Sequence, residues 1–215
     1  QGTVGMEIAS LAPDVVLVPI GGGGLAAGVA LALHAQGVRI VGAQVEHVDA
    51  MHRVLRGEPE GAPPVATLAE GVRVRHPGVL TREILSRLLD DIVIVREAEL
   101  RETLVRLALE EHVIAEGAGA LALAAGRRVA GKRRCAIVSG GNIDAAVLAG
   151  LLADVRPRAP RKPRRRAHED AIAKPASRAG RVTALSPVVA RPVPPATTSN
   201  AAHGTATVSA LEAFA

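Results

Sequence analysis

Aromatic side chains are almost absent from this chain of 215 residues. The sequence has no tryptophan, no tyrosine and a single phenylalanine, Phe214. Proteins that hold single-stranded nucleic acid use aromatic side chains on which successive bases stack. The composition therefore excludes a nucleic-acid surface built on stacking, and no specific nucleic-acid partner is expected.

Cysteine and long apolar runs are also scarce. Cys135 is the single cysteine and lies within an apolar run, so no disulfide can form within the chain and a reduced, cytoplasmic setting fits best. No run approaches the roughly 18 apolar residues of a membrane span, so no membrane partner is expected. Residues 1–7 lack the basic and apolar regions of a signal peptide and do not begin with methionine. We therefore expect the chain to be a fragment.

The net charge of +5 comes from the C-terminal part alone. Residues 1–155 hold 15 Lys+Arg and 18 Asp+Glu, a net charge of −3, whereas residues 156–215 hold 11 and 3, a net charge of +8. Residues 156–215 are rich in proline, alanine and arginine without periodicity, which predicts a disordered tail. Its basic cluster at residues 161–166 could bind phosphates non-specifically, although a solvated tail without function is the simpler interpretation. The abrupt change in composition fits either native disorder or a frameshifted gene.

A run of four glycines follows the first apolar segment directly. Residues 15–18 are four consecutive apolar residues and predict a buried parallel strand, and residues 25–33 predict a helix. Between them, Gly21–Gly24 allow backbone N–H groups to approach a ligand, and the helix N-terminus adds unpaired donors and a positive dipole end. The stretch predicts an anion site with phosphate as its ligand. The alternative is a tight turn without a ligand, but such a turn needs one or two glycines and not four.

Strands alternate with helices throughout residues 1–155, which predicts a parallel α/β sheet. Further strands are expected at residues 39–45, 91–95 and 132–138. Further helices are expected at residues 3–12, 47–55, 81–89 with Thr81 as its cap, 97–112, 116–129, and after Asn142 to about Asp154. Residues 57–64 are expected to form a surface loop.

A second glycine-containing turn, Ser139–Asn142, follows the last predicted strand. In an open parallel sheet, ligands bind at the carboxyl ends of the strands. Both turns are expected at that edge, and they can therefore converge on one ligand.

A dinucleotide-binding motif competes with the phosphate site. Gly22, Gly24 and Ala27 satisfy the G-x-G-x-x-A pattern, and Glu46 stands where an acid that binds ribose is expected. However, Pro19 and Ile20 do not form the usual tight first turn, and the motif leaves the second turn unexplained. We therefore favour the phosphate site.

Six segments stand out in order along the chain: Gln1–Thr3, Pro19–Leu25, Thr67–Gly71, His76–Thr81, Glu116–Ala120 and Ser139–Asn142. In this order they resemble the threonine dehydratases, pyridoxal-phosphate enzymes to which serine racemase is closely related. The resemblance implies an α/β fold: residues 1–155 would form an open parallel-sheet, three-layer fragment of the tryptophan-synthase β-like fold, the C-terminal part of the catalytic domain. It implies loss of water from threonine or serine to give a 2-oxo acid and ammonia, in a homo-oligomeric parent enzyme.

The resemblance also implies roles for individual residues. Gly21, Gly22, Gly23 and Gly24, together with Leu25, would cradle the phosphate of pyridoxal 5'-phosphate, with Gly71 and Gly140 close to the ring. Ser139 would hydrogen-bond the pyridine nitrogen, and because a hydroxyl is no anionic counter-ion it would not keep that nitrogen protonated. The weaker electron sink suits elimination from the β-carbon. Glu116 would either face the site or serve as a carboxylate at a helix N-terminus.

The sequence departs from the family in its lysines. The Schiff-base lysine of the family and its loop for the substrate carboxylate lie far upstream of the segment that matches Gln1–Thr3. The lysines here are Lys132, Lys162 and Lys174, and Lys132 begins the strand that ends near Ser139, about 23 Å away at about 3.3 Å per residue. We therefore expect no catalytic residue in this chain and no activity from it alone. The alternative is a non-enzymatic, phosphate-binding α/β fragment with a basic, disordered arm.

Overall fold

A computed structural model describes residues 1–61 and 65–154. Part of the predicted loop at 57–64 lies outside the described residues. So does the predicted tail, with Lys162, Lys174 and the basic cluster.

The predicted parallel sheet is confirmed. It contains four strands in the order β3-β2-β1-β4, and each neighbouring pair is parallel. The strands are Val15–Pro19 (β1), Arg39–Val45 (β2), Asp91–Val95 (β3) and Arg134–Ala136 (β4). β4 is shorter than predicted, because its flanking residues run beside β1 without the full ladder: Ile137 N donates to Leu17 O at 3.0 Å.

All seven predicted helices are present within the described residues. They are Gly2–Ala9 (α1), Gly24–Leu33 (α2), Ala50–Leu55 (α3), Val79–Leu88 (α4), Glu97–Glu110 (α5), Gly117–Ala125 (α6) and Ala145–Ala153 (α7). Their ends differ from the sequence prediction where the backbone leaves helical geometry. α3 begins later than predicted because His47 has a left-handed φ of +64°. α6 ends at Ala125 and continues as a 3-10 turn at Gly126–Arg128.

The prediction that Thr81 caps a helix is wrong. Gly78, in an extended conformation, is the N-cap of α4, which places Thr81 inside the first turn. The Thr81 hydroxyl donates instead to the carbonyl oxygen of Gly22, at 2.6 Å. The sequence correctly predicted a helix start near Thr81. The helix begins earlier, at Val79, because it follows directly after the proline-glycine pair at residues 77–78.

Helices cover both faces of the sheet. Successive apolar side chains of β1 point to opposite faces, so both faces must be covered for all of them to be buried. Val15 and Leu17 pack into a core with α5, α6 and Leu151 of α7. Val16 and Val18 point to the opposite face and pack with α1, α2 and Leu85 of α4. All five residues of β1 are buried, which explains why this strand is apolar throughout. Within residues 1–61 and 65–154, none of the helices combines the length and the apolar character that crossing a bilayer requires.

Candidate functional site

The glycine run forms the connection from the carboxyl end of β1 to the N-terminus of α2. α2 begins at Gly24, and its N-cap Gly23 adopts a left-handed conformation with φ of +92° and ψ of −2°. Gly23 O accepts the first hydrogen bond of the helix, from Ala27 N at 2.8 Å. Within the described part of the chain, the N–H groups of Gly21, Gly22 and Gly23 donate no hydrogen bond to protein atoms. The turn therefore has the donors and the helix end that an anion requires.

The four glycines have different surroundings. A Cβ atom at Gly23 would lie 2.8 Å from Met51 Cε and 2.9 Å from Thr81 Cβ, so the fold itself requires glycine there. A Cβ atom at Gly22 or Gly24 would meet no protein atom within 4 Å. These two positions therefore face open space beside the backbone of the turn.

Gln44 supports the start of the turn from β2. Its side chain is 1% exposed, and its Nε2 donates to Ile20 O at 3.2 Å while its Oε1 accepts from His52 N at 2.8 Å. The amide therefore connects β2, the glycine turn and α3. Gln44 is not among the site residues predicted from the sequence. A polar residue inside the apolar segment 39–45 was the available signal.

The second turn lies at the same edge of the sheet, as predicted. β4 is adjacent to β1, and Ala136 pairs with Leu17, so the residues that follow each strand emerge side by side. Gly140 O accepts from Glu116 N at 2.9 Å, which attaches this turn to the start of α6. A Cβ atom at Gly119 would collide with the backbone of Gly140, so α6 needs its small residues to pack here.

Glu116 lies beside two other predicted site residues, Gly71 and Gly140. It is the N-cap of α6 and is half-buried. A Cβ atom at Gly140 would collide with its carboxylate, and one at Gly71 would lie 3.4 Å from its Oε1. A Cβ atom at Gly21 would in turn lie 3.0 Å from Val72 Cα. The glycine turn, the segment around Gly71, Glu116 and the second turn therefore form one contiguous region. Ser139 and Leu25, both partly exposed, adjoin it through their neighbours in sequence.

Two glutamates hold the segment that carries Gly71. Glu97, the first residue of α5, accepts from the Thr67 hydroxyl and, at 3.3 Å, from Leu68 N. Glu46 accepts from Glu97 N at 2.8 Å. Glu46 therefore accepts a hydrogen bond at the N-terminus of α5. In the dinucleotide motif this acid would bind ribose, whereas in the structure its role is to hold α5.

Lys132 lies at the opposite edge of the sheet. It is exposed and stands between Gly131, where a Cβ atom would lie 2.7 Å from Val15 Cγ1, and Arg133, whose N donates to Asp14 Oδ2 at 2.7 Å. Val15 begins β1, whereas the glycine turn follows its end. Lys132 is thus separated from the turn by the length of β1, in agreement with the sequence expectation.

Glu99 and Cys135 have shifted pKa values, and neither belongs to the region around the turns. Burial disfavours the Glu99 carboxylate, but hydrogen bonds from Arg96 and Arg128 outweigh this effect and lower its pKa from 4.5 to about 2. Arg96, Glu99 and Arg128 form a cluster that connects the start of α5 to the 3-10 turn after α6. Arg128 also donates to Ile94 O at 2.6 Å, in β3. Burial raises the pKa of Cys135 from 9.0 to about 11, so its thiol stays protonated at neutral pH and is a poor nucleophile.

These contacts define a parallel α/β domain in which two glycine-containing turns follow neighbouring strands at the carboxyl edge of the sheet. Residues 1–140 match the family described as pyridoxal-phosphate dependent enzyme. The chain belongs to this family, whose members depend on pyridoxal phosphate, and the family resemblance is therefore confirmed.

The relatives include proteins named for reactions of threonine or serine. The chain is 41% identical over 152 residues to an L-threonine ammonia-lyase of Thermotoga maritima, a match that covers 67% of this chain and 38% of that protein. It is 43% identical over 155 residues to the catabolic L-threonine dehydratase of Escherichia coli, covering 67% of this chain and 47% of that protein. The structure of maize serine racemase superimposes with a TM-score of 0.63 at 31% identity, over 71% of this chain and 51% of that one. The chain thus spans less than half the length of the Thermotoga maritima and Escherichia coli enzymes.

Proposed function

We propose that residues 1–154 form the cofactor-phosphate side of a pyridoxal-phosphate dependent ammonia-lyase that removes water from threonine or serine. The supporting observation is the glycine turn: a left-handed N-cap at Gly23, donors at the start of α2, and open space at Gly22 and Gly24. The proposal includes a homo-oligomeric parent enzyme in the cytoplasm. It also includes the tail as a separate, dispensable region.

In this proposal, the residues of the first turn bind the phosphate and those near the second turn orient the ring. The N–H groups of Gly21–Gly24, with Leu25, bind the phosphate through hydrogen bonds and the positive end of α2. Ser139 orients the cofactor by a hydrogen bond to the pyridine nitrogen, and Gly71 and Gly140 line the space for the ring beside Glu116. When bound, pyridoxal phosphate supplies the electron sink that stabilises negative charge on the α-carbon of an amino acid. A serine at the nitrogen leaves that sink weaker than an ionised carboxylate would.

A second candidate function is phosphate or cofactor binding without turnover by this chain. The position of Lys132 favours it, because the one described lysine lies at the amino edge of the sheet. Elimination needs a base at the α-carbon, and this family uses a lysine for that step. The two candidates share the same binding site and differ in whether this chain supplies the base.

The glycine turn is tested by measuring the binding of pyridoxal phosphate to the full chain, with inorganic phosphate as competitor. Wild-type protein is expected to bind the cofactor and to lose it as phosphate is added. Gly22→Val should abolish binding, because the added methyl groups occupy the space that faces the ligand. The fold should tolerate this substitution, since a Cβ atom at Gly22 meets no protein atom within 4 Å.

Gly126→Val is the matched control. Gly126 also has open space at its Cβ position, has an ordinary helical φ of −57°, and lies after α6, away from the turns. It should bind pyridoxal phosphate like the wild type. Equal binding by Gly22→Val and wild type would refute the proposed phosphate site.

A further inference from the structure

Thr81 is the residue of α4 that contacts the glycine turn by a side-chain hydrogen bond. Its hydroxyl donates to Gly22 O at 2.6 Å, across 59 positions of sequence, and lies farther from Gly78 O, at 3.0 Å. Gly78 N also points to Gly22 O, at 3.4 Å. The Gly22 carbonyl therefore receives two donors from the start of α4.

A fixed carbonyl fixes the neighbouring N–H group as well. In a planar trans peptide, the C=O of one residue and the N–H of the next point in opposite directions. Because Thr81 and Gly78 hold the Gly22 carbonyl on the side of α4, the Gly23 N–H points away from α4. The hydrogen bond from Ala27 N to Gly23 O fixes the next peptide in the same manner and turns the Gly24 N–H outward along the helix axis.

The same rule applies at the start of the turn. Gln44 Nε2 holds the Ile20 carbonyl at 3.2 Å, which orients the Gly21 N–H in the opposite direction. Three peptide planes of a segment with four glycines are thus held from outside. This matters because glycine peptides rotate with little steric restriction, and an unsupported run would lose its donor geometry.

We propose that Thr81 is a positioning residue for the anion site: its hydroxyl holds the Gly22–Gly23 peptide in the orientation that presents the Gly23 N–H to phosphate. This inference rests on the proposed function, because it presumes that the anion binds at the glycine turn. Thr81 acts through Gly22 and does not contact the ligand. A preoriented donor avoids the loss of conformational freedom that binding would otherwise impose.

The test uses the full chain and inorganic phosphate as the probe, with the dissociation constant measured by isothermal titration calorimetry. Thr81→Val removes the hydroxyl at nearly constant volume, and its phosphate dissociation constant should rise about threefold to tenfold, the range for one net hydrogen bond. Thr81→Ser keeps the hydroxyl and should restore wild-type affinity. Thr103→Val is the control, since it also removes a threonine hydroxyl that donates to a backbone carbonyl, Glu99 O at 2.8 Å, but does so within α5 and away from the glycine turn.

A purely structural role for Thr81 would lower the melting temperature of the unliganded protein and leave the phosphate affinity of the folded fraction unchanged. Unchanged affinity in Thr81→Val, with phosphate bound by the wild type, would overturn the inference about Thr81. Absence of phosphate binding in the wild type would overturn the proposed function itself, which separates the two failures.

A measurement on the wild type covers the case in which Thr81→Val does not fold. In an amide NMR titration with inorganic phosphate, the Gly23 proton should shift downfield as it becomes a donor to the anion. A phosphate-bound protein whose Gly23 proton does not move would also overturn the inference.

Discussion

The side-chain nitrogen of Gln44 lies 3.2 Å from the carbonyl oxygen of Ile20, so that a residue of β2 holds the start of the glycine turn that follows β1. The oxygen of the same side-chain amide accepts a hydrogen bond from His52 N, in α3, at 2.8 Å. Gln44 is the one fully buried polar side chain among the described residues. Its burial is tolerated because both ends of the amide are paired.

Gln44→Met should destabilise the protein, because it leaves the buried Ile20 carbonyl and the His52 N–H without their partner. The expected loss is about 2–4 kcal/mol in the free energy of unfolding, measured by urea denaturation. Gln36→Met is the control: Gln36 is exposed, and its replacement should change stability by no more than about 0.5 kcal/mol. Equal stability of the two variants would show that the Gln44 amide does not support the turn.

Gly23→Ala should destabilise the protein more than Gly37→Ala. Both glycines are left-handed, with φ of +92° and +66°, so each substitution costs about 1 kcal/mol or more from backbone strain. A Cβ atom at Gly37 meets nothing within 4 Å, whereas one at Gly23 lies within 3 Å of Met51 and Thr81. Urea denaturation of the pair therefore isolates the steric contribution, which we expect to add about 1–3 kcal/mol. A smaller loss for Gly23→Ala than for Gly37→Ala would contradict the packing at the turn.

The 215-residue chain should bind pyridoxal phosphate and produce no 2-oxo acid from threonine. The lysine needed for catalysis is not supplied by Lys132, which lies at the amino edge of the sheet. Borohydride treatment followed by peptide mass spectrometry should find no cofactor attached to Lys132. Lys132→Met should bind pyridoxal phosphate as the wild type does. Measurable formation of 2-oxobutanoate by the purified chain alone would refute this prediction.

Stability should fall in acid partly through Glu99. Its pKa is lowered from 4.5 to about 2 in the folded protein, so the unfolded state binds more protons between these values. The contribution of Glu99 is therefore complete above about pH 4.5 and is lost as the pH falls towards 2. Glu99→Gln should flatten this part of the profile and cost at most about 1 kcal/mol at neutral pH, because the pair is partly exposed.

Glu102→Gln is the control for that profile. Glu102 forms a longer and more exposed ion pair with Arg127, at 3.5 Å. Thermal melts between pH 2 and pH 7 should give this variant the acid dependence of the wild type. A Glu99→Gln profile with the same slope as wild type in acid would rule out the role assigned to the Arg96–Glu99–Arg128 cluster.

The sequence alone determined the fold class and the identity of the two turns. The apolar run Val15–Val18, in which three of the four residues are β-branched, predicts a buried parallel strand, and the glycines that follow favour a turn over either element. Parallel strands also share a carboxyl edge, so the sequence predicted that Gly21–Gly24 and Ser139–Asn142 lie at the same edge of the sheet. That β4 is the neighbour of β1 was decided by the tertiary structure.

The tertiary structure decided which side chains hold that edge in place. Gln44, Thr81, Glu46 and Glu97 make their decisive bonds to residues from 8 to 59 positions away in sequence, and no local pattern encodes these partners. The start of α4 shows the same limit: Thr81 has the residue type of a cap, but the local backbone places it in the first turn and directs its hydroxyl to Gly22. Local propensity depends on near neighbours in sequence, whereas the orientation of each glycine peptide depends on contacts that exist only after the helices have packed on the sheet.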